Sequence, residues 1–439
     1  MKKAVFLSFV TVLLCSIFLL TVCEPNNVNK SGDDPIFSGE IFNEVKVNAK
    51  ELIAPDGQDL NTQSAANGAN DFAFRLGAEL LNGKENINFV YSPFSVWLPL
   101  AALANAARED LKPALINALS ASGISEADLN KAASRMLWDL TKSYNRNSKD
   151  YFNPLRIANA VFVDKSVTLR TEFAQTFMDY FRGSSINVDF SSPDAVTAVN
   201  RWASENTEGL IKEVIKEFNK DTVTAIANAI YFSDRWEWEF NPTQTKEDDF
   251  NAPSGKSKAL YMLREGGSQL YYEDSKVQAI SLSFTQGAGM YIILPRTDSA
   301  ENFLSSMKNE YFKEIHANAK PAKGKLLLPR FSIENDISDL KEALIALGIP
   351  LFDFEPITNL IKEASLFISS AKQKALIKVD EKGTTAAAVT VMGMDITSMP
   401  PEPQVNFEMI CNRPFIFILY DHTYDGGNQI LFTGIVNKP

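Results

Sequence analysis

The 439-residue chain predicts a globular domain that mixes helices with strands and carries one extended loop belonging to neither. Three observations carry this. Apolar residues recur every four positions at Phe72, Leu76 and Leu80, and again at Phe173, Phe177 and Phe181, the stripe of an amphipathic helix. Apolar strand-like runs lie between such stretches, at residues 156–163, 227–232, 375–380 and 412–420. Finally, residues 383–398 are mostly small and β-compatible and free of proline, and Gly383, its Thr residues and Val389 are poor helix formers. An apolar fraction of 45% and a charged fraction of 22% are ordinary for a folded domain. The net charge of −11 argues against nucleic acid and anionic membrane surfaces as partners.

Residues 1–22 read as a signal peptide rather than as part of the fold. Lys2 and Lys3 precede an apolar run from Ala4 to Leu20, which is short for a spanning helix. Leu20-Thr-Val-Cys23 resembles a bacterial lipobox, with Cys23 as the acylated first residue of the mature protein, although Val22 is bulkier than the usual small residue. The expected location is the cell envelope, as an outer-membrane lipoprotein with a periplasmic or surface face. Simple secretion is the alternative. Residues 23–66, rich in Asn, Ser, Gly and Asp, form the anchor and a tether, and the domain is expected to span 67–439.

In Asn88-Phe-Val-Tyr-Ser-Pro-Phe-Ser95, Ser92 is a good helix cap and Pro93 a good first helical residue. The following stretch is almost wholly apolar through Ala107 and should be a buried helix. Residues 126–143 predict a helix whose mixed charges suit a solvated face. Arg156–Val163 alternates as a strand, Asn187–Phe190 reads as a strand fragment, and Asn200–Gly209 as a helix and turn. Residues 222–240 hold the strand Ala227-Asn-Ala-Ile-Tyr-Phe232 and Trp236. Leu328-Pro-Arg-Phe331 precedes a short helical pattern at 339–349. The C-terminal strands 412–420 and 429–434 are joined at Asp425-Gly-Gly427, a turn signal.

After the strand Ala375–Asp380 comes Glu381-Lys-Gly-Thr-Thr-Ala-Ala-Ala-Val-Thr390, leading to Ser398-Met-Pro-Pro-Glu402. In an extended chain Thr384, Ala386, Ala388 and Thr390 share one face, and all are small enough for a sheet interior. About twelve residues from Thr384 would span roughly 40 Å at about 3.3 Å each. The loop could therefore become a strand, ended by prolines that cannot join a central sheet.

This stretch resembles the hinge and reactive loop of the serpins, the serine protease inhibitor family. The Ser-Pro-x-Ser motif, the Asn228 strand with Trp236, the Leu-Pro-Arg-Phe block and the C-terminal strands extend the resemblance from about residue 67 to the end. It implies an α+β serpin fold with three sheets, about nine helices and an exposed reactive loop at about 381–403. It implies an irreversible inhibitor of serine endopeptidases, with cysteine endopeptidases as a second class. Cleavage traps the protease as a covalent acyl complex while the loop inserts into the central sheet. The chain would then be a monomer, not an enzyme, and in need of no cofactor. The rival is a non-inhibitory serpin that binds or scaffolds, but such members carry charged, bulky or proline hinge residues, and none of these occurs here from Gly383 to Ala388.

The resemblance also assigns residues. Glu381, Gly383, Thr384, Ala386, Ala387, Ala388 and Thr390 form the hinge, and Thr397–Ser398 is the scissile bond. Ser92, Ser95, Asn228, Trp236, Arg330 and Gln373 form the gate, with Gln373 standing where serpins commonly have His. Arg330 and Glu381 match an ion pair where insertion begins. Thr384 is expected to be exposed before cleavage and to turn into the sheet on insertion. Thr397 suits a shallow apolar pocket, and no Lys or Arg lies between Lys382 and Arg413, so elastase-like or subtilisin-like targets are expected over trypsin-like ones.

Nothing points to catalysis or to a metal. The two histidines, His316 and His422, are far apart in sequence, and no His-Glu-x-x-His, Gly-x-Ser-x-Gly or Cys-x-x-Cys occurs. Cys411, in an apolar strand-rich region, reads as a buried inert thiol.

Overall fold

The computed structural model describes residues 12–22, 60–142, 154–353, 355–384, 405–422 and 428–439. The first element is a strand, β1 (Val12–Val22). Helix α1 (Leu60–Leu81) begins inside the stretch read as tether, before residue 67, and buries Phe72, Leu76 and Leu80 as expected. Strand β2 (Phe89–Tyr91) leads to α2 (Pro93–Leu103), whose residues are all buried. The Ser92 hydroxyl accepts from the Ser95 amide at 3.4 Å and caps it. Then follow α3 (Lys112–Ala118), α4 (Glu126–Lys142), β3 (Leu155–Asp164), α5 (Thr171–Phe181), β4 (Gly183–Val188), α6 (Pro193–Glu205) and β5 (Thr222–Phe232).

A run of strands comes next: β6 (Lys246–Ala252), β7 (Gly255–Glu265), β8 (Gln269–Glu273), β9 (Val277–Ser283) and β10 (Gly289–Pro295). Helices α7 (Ala300–Ser306) and α8 (Asn309–Asn318) precede β11 (Lys320–Pro329) and β12 (Phe331–Ile337). After α9 (Leu340–Ala346) the chain closes with β13 (Leu366–Val379), β14 (Val405–Ile410), β15 (Phe415–His422) and β16 (Asn428–Val436).

The central sheet has the order β12-β13-β1-β5-β3-β4. The other ten strands form a continuous path with two halves. One runs β2-β16-β15-β10-β9-β8, the other contains β11, β7, β6 and β14, and three residue pairs between β8 and β11 join them. With nine α-helices among the described residues, this is an α+β fold of the kind the resemblance implies, a central sheet beside two further sheet halves. Its main core fills the space between helices α1, α2 and α4 and the sheets behind them.

Residues 12–22, read from sequence as a signal lying outside the fold, are a strand of the central sheet. Strand β1 pairs antiparallel with β13 on one side and β5 on the other. The physical reason is legible. Eleven uncharged, mostly β-compatible residues fit a gap between two strands that each present unpaired backbone groups.

Other departures are smaller. The α4 charges are not all solvated, because Arg135 and Asp139 pair at 2.9 Å with both side chains buried. His316 and His422 come together, their ring centroids 6.5 Å apart, and burial lowers the pKa of each. No group of three or more His, Cys, Asp or Glu side chains suited to a metal occurs among the described residues. Cys411 is fully buried, and burial pushes its thiol pKa up to about 12.

Candidate functional site

The residues grouped as one gate fall into two stations along β13. The lower station is at mid-strand. Gln373 is fully buried and its side chain points to α2. Its Nε2 donates to the Ser92 carbonyl at 2.9 Å and to the Ser95 hydroxyl at 3.1 Å, while its Oε1 accepts from the Ser92 amide at 3.1 Å. One amide thus fastens the strand to the helix start beneath it, which an uncharged donor-acceptor side chain does at any pH. On the other side of β1, Asn228 Nδ2 donates to Asn159 Oδ1 at 2.7 Å, and Asn159 Nδ2 donates to the Phe181 carbonyl at 2.7 Å. Asn228 is fully buried and its Oδ1 has no partner.

Register makes these residues one row. Ser16 of β1 stands opposite both Gln373 and Asn228, and Asn228 stands opposite Asn159. Asn159 was not singled out in the sequence, since a lone Asn in an apolar strand gives no signal beyond its type.

The upper station is at the end of β13, about 26 Å away at about 3.3 Å per residue for eight residues. Here the chain turns through Asp380–Gly383 and folds back against the loop after β5. Trp236 Nε1 donates to the Asp380 carbonyl at 2.9 Å, the Trp236 amide to the Lys382 carbonyl at 2.9 Å, and the Phe240 amide to the Glu381 carbonyl at 2.9 Å. The Trp236 ring stacks on Phe284 with centroids 4.3 Å apart. Gly383 has φ +126°, and a Cβ there would lie 2.5 Å from the Asp234 carbonyl oxygen, so the position requires glycine.

The expected ion pair is formed. Arg330 reaches Glu381 Oε1 through Nε at 2.8 Å and Nη2 at 2.5 Å, and the Thr245 hydroxyl donates to the same oxygen. The Glu381 side chain is 6% exposed and that of Arg330 41%. Burial raises the Glu381 pKa, but the bonds from Arg330 and Thr245 outweigh it and the net shift is downward.

Thr384 departs from expectation. It is already fully buried, and its amide and hydroxyl both donate to the Asp234 carbonyl, at 2.8 Å and 3.2 Å. The tight Asp380–Gly383 turn aims it at the loop after β5 rather than at solvent. Asp234, unremarked in the sequence, is fully buried. Burial raises its pKa to about 6, against the hydrogen bonds from the Thr285 hydroxyl and the Gln286 and Arg235 amides. Ala386, Ala387, Ala388, Thr390, the bond Thr397–Ser398 and Cys23 lie outside the described residues.

The comparisons with known proteins agree with this geometry. The model of the serpin family, described as serine protease inhibitors, matches residues 67–439. Alpha-1-antiproteinase of Rattus norvegicus is 27% identical, the match covering 89% of this chain and 95% of that protein. An uncharacterised serpin-like protein of Thermococcus kodakarensis is 29% identical, with 88% of each covered. Among solved structures, the thermophilic serpin tengpin in its native state superposes with a TM-score of 0.72 at 24% identity, covering 88% of this chain and 96% of that one. Serpin48 of Tenebrio molitor gives 0.69 at 25%, covering 87% and 100%. A family match over most of its length, on a central sheet with a hinge at the end of β13, makes this chain a member of the serpin family.

Proposed function

We propose that the protein inhibits serine endopeptidases by offering its loop for cleavage and inserting the cut loop into the central sheet. The carrying observation is the slot between β13 and β5, wide enough for one strand that pairs on both sides over about ten positions. The hinge ends beside that slot, at the top of β13. Were the inserted loop to continue the Asp380–Gly383 pairing seven residues along each arm, Thr390 would come opposite Gln373, and Ala386 and Ala388 opposite the buried Ile377 and Ala375. Small residues thus meet the packed face, and a hydroxyl meets the polar row.

The scissile bond in this reading is Thr397–Ser398, and the targets are elastase-like or subtilisin-like enzymes. The mature protein is a monomer held at the cell envelope through acylated Cys23. The test is incubation with an elastase-like protease. A complex that survives boiling in detergent, with release of a fragment beginning at Ser398, is expected. Cleavage with full recovery of protease activity refutes inhibition, and rapid trapping of trypsin refutes the assigned specificity.

A further inference from the structure

The central sheet holds one slot, and two segments of this chain suit it. Strand β1 occupies it, with register unbroken from Leu13 to Leu19 against β13 and from Val12 to Leu20 against β5. The loop beyond Thr384 reaches the same slot from the hinge. The two run in the same direction, each antiparallel to β13. Each places a hydroxyl residue opposite Gln373: Ser16 by the observed pairing, Thr390 by continuation of the hinge pairing. In both, the flanking residues of that row are uncharged. A slip of one residue would move every side chain to the other face, so the backbone pairing of Ser16 with both Gln373 and Asn228 fixes the register of β1.

We infer that residues 12–22 and the reactive loop are alternative occupants of one slot, so that a chain retaining its leader is closed to loop insertion. Resting on the inhibitory reading above, this makes removal of the leader the arming step. Until then a protease that cuts the loop meets a filled sheet, and hydrolysis of the acyl-enzyme wins over insertion. A precursor still inside the cell is thereby kept from trapping proteases there. Its central sheet is six strands wide and lacks the unpaired strands that drive loop exchange between molecules.

The test uses the full chain purified with residues 1–22 retained, as verified by intact mass, beside Ser16→Pro and Ser16→Arg in the same chain. A proline cannot sit in a central strand, and an arginine would put a charge into a strand paired on both sides within the sheet. Both changes lie in the leader and leave the domain's own residues intact. Amide exchange over residues 224–231 and 368–376 is expected to be at least tenfold slower in the parent than in either variant. A synthetic peptide of residues 384–395 should protect those amides in the variants and not in the parent. With an elastase-like protease, the parent should be cut as a substrate, and the variants should need at least tenfold fewer molecules per protease trapped. Equal exchange in parent and variants overturns the inference, as does a protected parent that traps protease as well as the variants do. If no form traps protease, the inhibitory reading fails, while peptide entry into the variants alone still supports a shared slot.

Discussion

Glu381→Lys tests the upper station most directly. In the parent, the Glu381 carboxylate is 6% exposed and accepts two bonds from Arg330 and one from Thr245. Hydrogen bonds to a charged group contribute about 1.5–3 kcal/mol. Arg330 is 41% exposed and can rehydrate, so the loss of its bonds falls toward the lower end. Glu381→Gln, which keeps the shape, should therefore cost about 1–2 kcal/mol. Lysine adds like-charge repulsion against Arg330, about 4 kcal/mol at 4 Å for an effective dielectric of 20 before relaxation. On the proposed inhibitory reading the native state is held by a kinetic barrier, and each 1.4 kcal/mol removed from such a barrier is about tenfold in rate. At mild heating, loss of monomer should speed up about tenfold for Gln and a hundredfold or more for Lys. Size-exclusion time courses measure this on protein with its leader removed. Adding Arg330→Glu to Glu381→Lys should restore part of the loss, as a coupled pair requires. A Lys variant that loses monomer within twofold of the parent rate would refute the assignment of this pair as a latch.

Three further outcomes follow from the same structure. Gly383→Ala should lower stability by at least about 1–3 kcal/mol, from its φ of +126° and the Asp234 oxygen 2.5 Å from the new Cβ; urea unfolding reads it, and an unchanged midpoint counts against the hinge geometry. Asp234 has a pKa raised from 3.8 to about 6, so its contribution to stability is full below about pH 4 and is lost as pH rises through 6. Relative to Asp234→Asn at each pH, which cancels the opposite pull of the half-buried His316 and His422, the parent should gain about tenfold in native lifetime from pH 7 to pH 5, and parallel profiles would sink this. Cys23→Ala should move the protein from the membrane fraction to the soluble one, and identical fractionation of parent and variant as soluble protein would remove the lipid anchor.

What could be read in the sequence follows from where the physics is local. The start of α2 was legible because Ser92 and Pro93 form a cap. Its end was not, because the stretch stays almost wholly apolar to Ala107 and the lone Asn105 does not mark that the helix stops at Leu103. The strand expected at 187–190 lies instead at 183–188. Asp189 and Ser191 fold into a turn, and Gly183 opens the strand where the Phe177 ring leaves no room for a Cβ. The Arg330–Glu381 pair was anticipated through the resemblance, since residues 51 apart in sequence carry no local sign of contact. Asn159 and Asp234 were missed because a single polar residue in an apolar strand or a loop looks alike whether or not it is buried. The central-sheet position of residues 12–22 was hidden for a different reason. An apolar run that suits export also suits a strand, and only the vacancy between β5 and β13 distinguishes the two uses.

The two stations explain how one sheet can be both firm and ready to part. At mid-strand the bonds run away from the slot: Gln373 is fastened down to α2, and Asn228 is fastened sideways to Asn159 on β3. Separating β5 from β13 leaves those bonds intact, so the polar row resists slippage without resisting opening. At the top the bonds run across the slot. Trp236 donates to Asp380, and Thr384 donates to Asp234, joining the end of β13 to the loop after β5. Opening from the top must break these first, and they lie in the same turn that carries the hinge. The residue that enters the sheet is thus set by what the latch already holds. Thr384 is buried before cleavage, so an arginine there would damage the resting protein and confuse any test of insertion. If the cut loop continues the Asp380–Gly383 pairing as proposed, Ala386 would be the next inward position, opposite Ile377, and Ala387 would face outward. Ala386→Arg should leave cleavage by the protease unchanged but bury an unpaired charge on insertion, at an effective cost of several kcal/mol. Even part of that cost slows insertion ten- to a hundredfold and lets hydrolysis win. Ala386→Arg should therefore be a substrate that releases active protease, and Ala387→Arg should trap it nearly as well as the parent. Equal trapping by the two would mean that the loop does not enter the sheet through this hinge.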